Sequence, residues 1–93
     1  MMTMYYVVGD KVYCKGKGDK GKAQALKKVV ECLEDAERAS FKFAGGWWVL
    51  VKGSEGWLCA FSPKRNAPDA LRLQMLAILN RLEKEVDGEW QLL

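Results

Sequence analysis

The sequence predicts an α+β domain in the order β-β-α-β-β-β-α, a five-stranded antiparallel sheet with helices on both faces. Five short runs rich in aromatic and β-branched residues are separated by Gly-bearing turns. Two longer stretches repeat apolar residues at helical spacing. Two runs, 47–51 (WWVLV) and 57–61 (WLCAF), are apolar at every position. Strand side chains alternate between the two faces of a sheet, so continuously apolar strands demand cover on both sides.

The elements follow in order. Met4-Tyr5-Tyr6-Val7-Val8 and Lys11-Val12-Tyr13-Cys14-Lys15 flank Gly9-Asp10, which predicts a hairpin with a type II′ turn. Gly16-Lys17-Gly18-Asp19-Lys20-Gly21 breaks regular structure, and Asp19 is placed to cap the helix that follows. That helix is expected over 20–40, with Leu26, Val29, Val30, Leu33 and Ala36 on one side. Phe41-Lys42-Phe43 reads as a short strand, and Ala44-Gly45-Gly46 as a turn into the run 47–51. The loop at 52–56 makes a hairpin with 57–61. After the loop at 62–66, Asn66 or Ala67 caps a helix that carries Pro68 in its first turn, where proline is tolerated. Leu71, Met75, Ile78, Leu79, Leu82 and Val86 form its apolar face, Leu73, Leu76 and Ala77 widen it, and Gly88 is expected to end it. The tail Glu89-Trp90-Gln91-Leu92-Leu93 carries enough apolar mass to dock.

Ninety-three residues make one domain, 1–93, with one core. Histidine is absent, which removes the commonest general base and the commonest neutral metal ligand. The reading is therefore a chain that is not an enzyme and uses no cofactor and no metal. Net charge is +3, but seven lysines fall between Lys11 and Lys28 against one acid, Asp19. Within them Lys15, Lys17, Lys20 and Lys22 form a basic patch. Cys14, Cys32 and Cys59 sit in apolar stretches without a Cys-x-x-Cys spacing, which predicts buried thiols in a reducing compartment and leaves room for at most one disulfide. Residues 1–8 lack the features of a secretory signal and no stretch is long and apolar enough to span a bilayer. The expected location is cytoplasmic, with no membrane partner.

The order of elements resembles the Roadblock/dynein light chain family. The residues that carry the resemblance are Gly46-Trp47-Trp48-Val49-Leu50-Val51, then Trp57-Leu58-Cys59-Ala60-Phe61, Asn66, and Leu71-Arg72-Leu73-Gln74-Met75. It is a pattern of apolar residues and turns without a catalytic signature. The family's additional first helix has no counterpart before Met4, and Pro68 stands near the place of its glycine after the loop Asn. The resemblance implies a Roadblock/profilin-like fold and a homodimer joined sheet edge to sheet edge, with the middle helices paired across the two-fold. Phe41, Phe43, Val30 and Leu33 are the candidate dimer contacts. It also implies a non-catalytic scaffold that binds or regulates a small Ras-like GTPase, through Lys27, Lys28, Glu31, Glu34 and Glu37 on the middle helix.

Three other constellations compete. Gly16, Gly18 and Gly21 spell G-x-G-x-x-G, but the preceding strand belongs to a hairpin instead of a βαβ unit, so a turn with solvated lysines is the better reading than a phosphate cradle. The lysine cluster could follow a nucleic-acid backbone, and the alternative function is a small basic nucleic-acid-binding protein. Lysines also guard sheet edges, and Trp47, Trp48 and Trp57 lie in strands too apolar for an exposed stacking platform. Cys14 beside Lys15 is the one hint of a reactive thiol.

Overall fold

A computed structural model describes residues 3–33, 35–43, 46–62 and 68–93. Its elements are β1 (Met4–Val8), β2 (Lys11–Lys15), α1 (Lys20–Glu31), β3 (Arg38–Phe43), β4 (Gly46–Lys52), β5 (Gly56–Ser62), α2 (Pro68–Lys84) and β6 (Trp90–Leu92). The sheet has six strands in the order β3-β4-β5-β1-β2-β6. Every pairing is antiparallel.

The first hairpin forms as its turn chemistry requires. Gly9 has φ of +59°, a left-handed backbone that glycine reaches without a Cβ clash. Val7 then pairs with Val12, and Tyr5 with Cys14. Asp19 caps α1, its carboxylate accepting from the Gly21 N–H at 2.9 Å. The Asp19 N–H in turn donates to the Tyr5 hydroxyl at 3.0 Å. The helix start is thereby tied to the middle of the sheet.

Alternation along the central strands sends apolar side chains both ways. On one face Met4, Tyr6, Val49, Val51, Leu58 and Ala60 meet Met75, Leu79 and Leu82 of α2. On the other, Tyr5, Val7, Val12, Trp48, Leu50, Trp57 and Cys59 meet Ala23 and Leu26 of α1. The expectation of a sheet covered on both sides, drawn from the all-apolar runs, is met by these two cores.

Four element boundaries differ from expectation. The first helix ends at Glu31 instead of near Ser40, with the Cys32 N–H reaching the Val29 carbonyl and the Leu33 N–H the Val30 carbonyl. The chain leaves β2 and must arrive at β3, four strand spacings away, or about 19 Å. Twelve helical residues cover about 18 Å of that. Turns then carry the chain to the edge, where β3 begins three residues earlier than expected, at Arg38. Leu33 and Ala36, read as helical, still pack against the same core from these turns.

At the other end α2 stops at Lys84, short of Gly88. Pro68 is its first residue, as expected, while the Asn66 cap lies outside the described residues. Gly88 belongs to a tight turn in which the Trp90 N–H donates to the Asp87 carbonyl and the Glu89 N–H to the Asp87 side chain. The turn sends the chain back as β6, a sixth strand, so the tail expected to dock does so by strand pairing. Tyr13 pairs with Leu92 and Lys15 with Trp90, and the ladder continues into the Leu93 N–H bond to the Val12 carbonyl. Trp90, only 7% exposed, closes the α2-side core beside β2.

Candidate interaction surfaces

The residues expected to face a partner do not form one helix face. Lys28 and Glu31 are exposed on α1. Lys27 is half-buried, and its ammonium donates to the Asp10 carbonyl at 3.0 Å. No ion pair between Lys27 and Glu31 forms. Glu37 lies off the helix, immediately before β3, where its carbonyl accepts from the Lys52 N–H. Glu34 lies outside the described residues. The early end of α1 is what separates these side chains.

The basic patch is divided as well. Lys17, Lys20 and Lys22 are exposed, while Lys15 pairs with Glu89 at 3.0 Å. The glycines between them have packing reasons. Gly16 turns the chain with φ of +95°. A Cβ on Gly18 would lie 2.6 Å from the Cys14 sulfur. The Gly21 N–H is already taken by the Asp19 carboxylate, so a phosphate at this helix start would meet a negative charge instead of a free donor.

Burial disposes of the aromatic platform and of two thiols. Trp48 and Trp57 are buried, at 6% and 5% exposed. Burial pushes the Cys59 thiol up to about 12 and raises Cys14 as well. Cys32, expected to be buried, is exposed at the end of α1; the shorter helix leaves it in the turn. All three cysteines are free. Among the described residues no cluster of Cys, Asp and Glu could hold a metal ion, and no helix is long and apolar enough to cross a membrane.

Two surfaces remain. The first is the edge of the sheet at β3, which pairs with β4 on one side and, among the described residues, with no strand on the other. It pairs with β4 along its whole length, Arg38 opposite Val51, Ser40 opposite Val49 and Lys42 opposite Trp47. Phe41 and Phe43 pair through their backbones with Trp48 and Gly46, and their side chains lie outside the described structure. Ala39 of β3 is half-buried on the α1 face, where Val30 and Leu33 also pack half-buried against the core. Of the candidate dimer contacts Val30 and Leu33, only Val30 is still helical.

The second surface, which the sequence did not reveal, is a groove on the opposite face, between β3 and α2. Two adjoining hollows of about 450 and 240 Å³ share Arg38 and Arg72. Val51 and Leu76 line the larger, Val49, Ser40 and Asp69 the smaller. Arg72 pairs with Asp69 at 2.8 Å, and Arg38 meets no carboxylate among the described residues.

Comparison with known proteins found no matching family model, no similar curated protein and no similar solved structure.

Proposed function

We propose that this chain is a non-catalytic homodimeric scaffold, joined through the β3 edge, that binds or regulates a small Ras-like GTPase. The observation that carries the dimer is the unpaired β3 edge. An open strand edge is a template for another strand, and here half-buried Ala39 lies on it, on the face where Val30 and Leu33 pack against the core. Antiparallel pairing of two β3 strands continues the sheet across a two-fold axis and lets these residues of both copies meet.

Surface arithmetic points the same way. A monomer of 10.5 kDa typically exposes roughly 5,400 Å², whereas this chain exposes 6167 Å². The excess is roughly 700–800 Å², close to one partner's share of a standard interface. The register follows from charge. Centring the pair on Ser40 sets Arg38 against Lys42 of the second copy, twice over. Centring it on Phe41 sets Lys42 against Ser40 and removes the repulsion, since like charges directly opposite destabilise a sheet.

The GTPase assignment rests on the resemblance in element order and on the two helices lying on opposite faces of one antiparallel sheet. The role requires no catalytic group of this chain, because a scaffold can act by holding the GTPase's own residues in place. It is tested by titrating the protein against candidate small GTPases loaded with GDP or a GTP analogue, reading binding and the hydrolysis rate. Nucleotide-dependent binding supports the role; a dimer that binds neither form refutes it. The nucleic-acid alternative separates in a salt series with generic DNA and RNA, where it demands a steep loss of affinity with salt.

A further inference from the structure

We propose that the groove between β3 and α2, doubled across the dimer axis, is a docking trough for one amphipathic helix with acidic flanks. This rests on the β3-edge dimer. The partner copy contributes half of the trough.

The dimensions come from the sheet. α2 lies over β4 and β5, leaving β3 uncovered on that face. When two β3 strands pair, the two α2 axes stand three to four strand spacings apart, or roughly 15–20 Å. Packed helices stand about 8–10 Å from each other. The gap is therefore wide enough for one helix lying between α2 and its symmetry mate, and too narrow for two. The floor is β3 and β4, where Ser40, Val49 and Val51 present small or apolar groups. Leu73 and Leu76 stand exposed on α2, at 68% and 39%, and Leu76 lines the groove itself. An apolar stripe on the incoming helix would cover it.

Charge selects the flanks. Arg38 and Lys42 point to the α2 face, because residues directly opposite in an antiparallel pair share a face and their partners are Val51 and Trp47. Arg72 projects from α2 into the same groove. Each copy thus lines its half with Arg38, Arg72 and Lys52, with Lys42 further along β3 on the same face; Asp69 pairs with Arg72 and Glu37 stands at the end. Arg38 has no carboxylate partner among the described residues. The indole N–H of Trp47, opposite Lys42, is buried and makes no hydrogen bond among the described residues; a carboxylate entering at that end would supply an acceptor. A basic or neutral helix would leave these donors unanswered.

The probe is a synthetic amphipathic helical peptide with leucines on one face and glutamates flanking them, beside a copy with lysine flanks. Binding is read by fluorescence anisotropy and stoichiometry by sedimentation. The expected result is one acidic peptide per two chains, at least about tenfold weaker binding of the lysine copy, and a comparable loss for Arg38→Glu and Arg72→Glu. Arg38 is exposed, so its variant tests the charge without a folding cost. A dimer that does not bind the acidic peptide, or binds it equally after both substitutions, overturns the trough. One peptide per chain with loss of the dimer also overturns it, and shows instead an extended segment added to the β3 edge. A chain that sediments as a monomer before any peptide is added defeats the dimer itself, a distinct failure.

Discussion

Trp90→Ala tests the part of the fold that the sequence did not announce. A tryptophan side chain buries about 150–250 Å², and Trp90 is 7% exposed against Met4, Tyr6 and the α2 face. At about 25 cal/mol/Å² the transfer is worth roughly 4–6 kcal/mol, and a realistic unfolded chain lowers that by 10–40%. The site is at the end of the core beside an edge strand, so the truncated side chain leaves an opening that water can fill, and little is added for a sealed cavity. The expected loss is about 3 kcal/mol. For a domain of this size it lowers Tm by roughly 12–24 °C. Urea unfolding followed by far-UV circular dichroism measures it without relying on the lost indole. Hydrogen exchange supplies the local readout: the Leu93 N–H, which bonds the Val12 carbonyl, should lose its protection in the variant and keep it in Trp90→Phe. A variant within 0.5 kcal/mol of the parent, with the Leu93 amide unprotected in both, would show that β6 is not docked and would refute the reasoning.

Three more predictions follow from side-chain environments. Hydrogen bonds that the Ser54 hydroxyl and N–H donate to it hold the Glu83 carboxyl below its usual range and pin α2 to the β4–β5 loop. A depressed folded-state pKa stabilises above the unfolded value and is lost as pH falls through the folded one. Glu83→Gln should therefore cost about 1 kcal/mol at neutral pH, a difference that disappears in acid; a difference independent of pH would deny the bond. Thiol labelling of the folded protein should modify Cys32 fast and leave Cys59 untouched until denaturant is added, given its burial and a pKa of about 12; fast labelling of Cys59 would contradict its position at the sheet centre. Gly56→Ala should cost about 2 kcal/mol, because the added Cβ would sit 2.4 Å from the Val7 carbonyl oxygen. Gly88→Ala, with nothing within 4 Å, should be neutral or slightly stabilising, and equal costs for the two would argue against this strand register.

The sequence disclosed the two-sided core because its signal is strong. Trp47 to Val51 and Trp57 to Phe61 leave no polar face, and both ends of that inference, helices and sheet, appear in the structure. It misjudged boundaries where two periods overlap. Leu33 and Ala36 continue the helical spacing of Val29, yet they reach the core through turns because β3 has to start at Arg38 to pair with Val51. Strand β6 was illegible for another reason: three residues, one of them Gln91, carry no measurable alternation, and only the Asp87 turn brings them to β2. The groove between β3 and α2 could not be read at all, since Arg38 and Arg72 are far apart in the chain and meet only because α2 folds back over β4. Their one trace in the sequence is the absence of an acid from Arg38 to Phe43.

The account turns on whether the β3 edge is closed by a second copy. Sedimentation of the unmodified protein at micromolar concentration decides it. The prediction is twice the chain mass, falling to the single chain when Ser40→Pro removes an N–H that points away from β4 in the middle of the pairing edge. A single-chain mass for the unmodified protein across the whole micromolar range would contradict it.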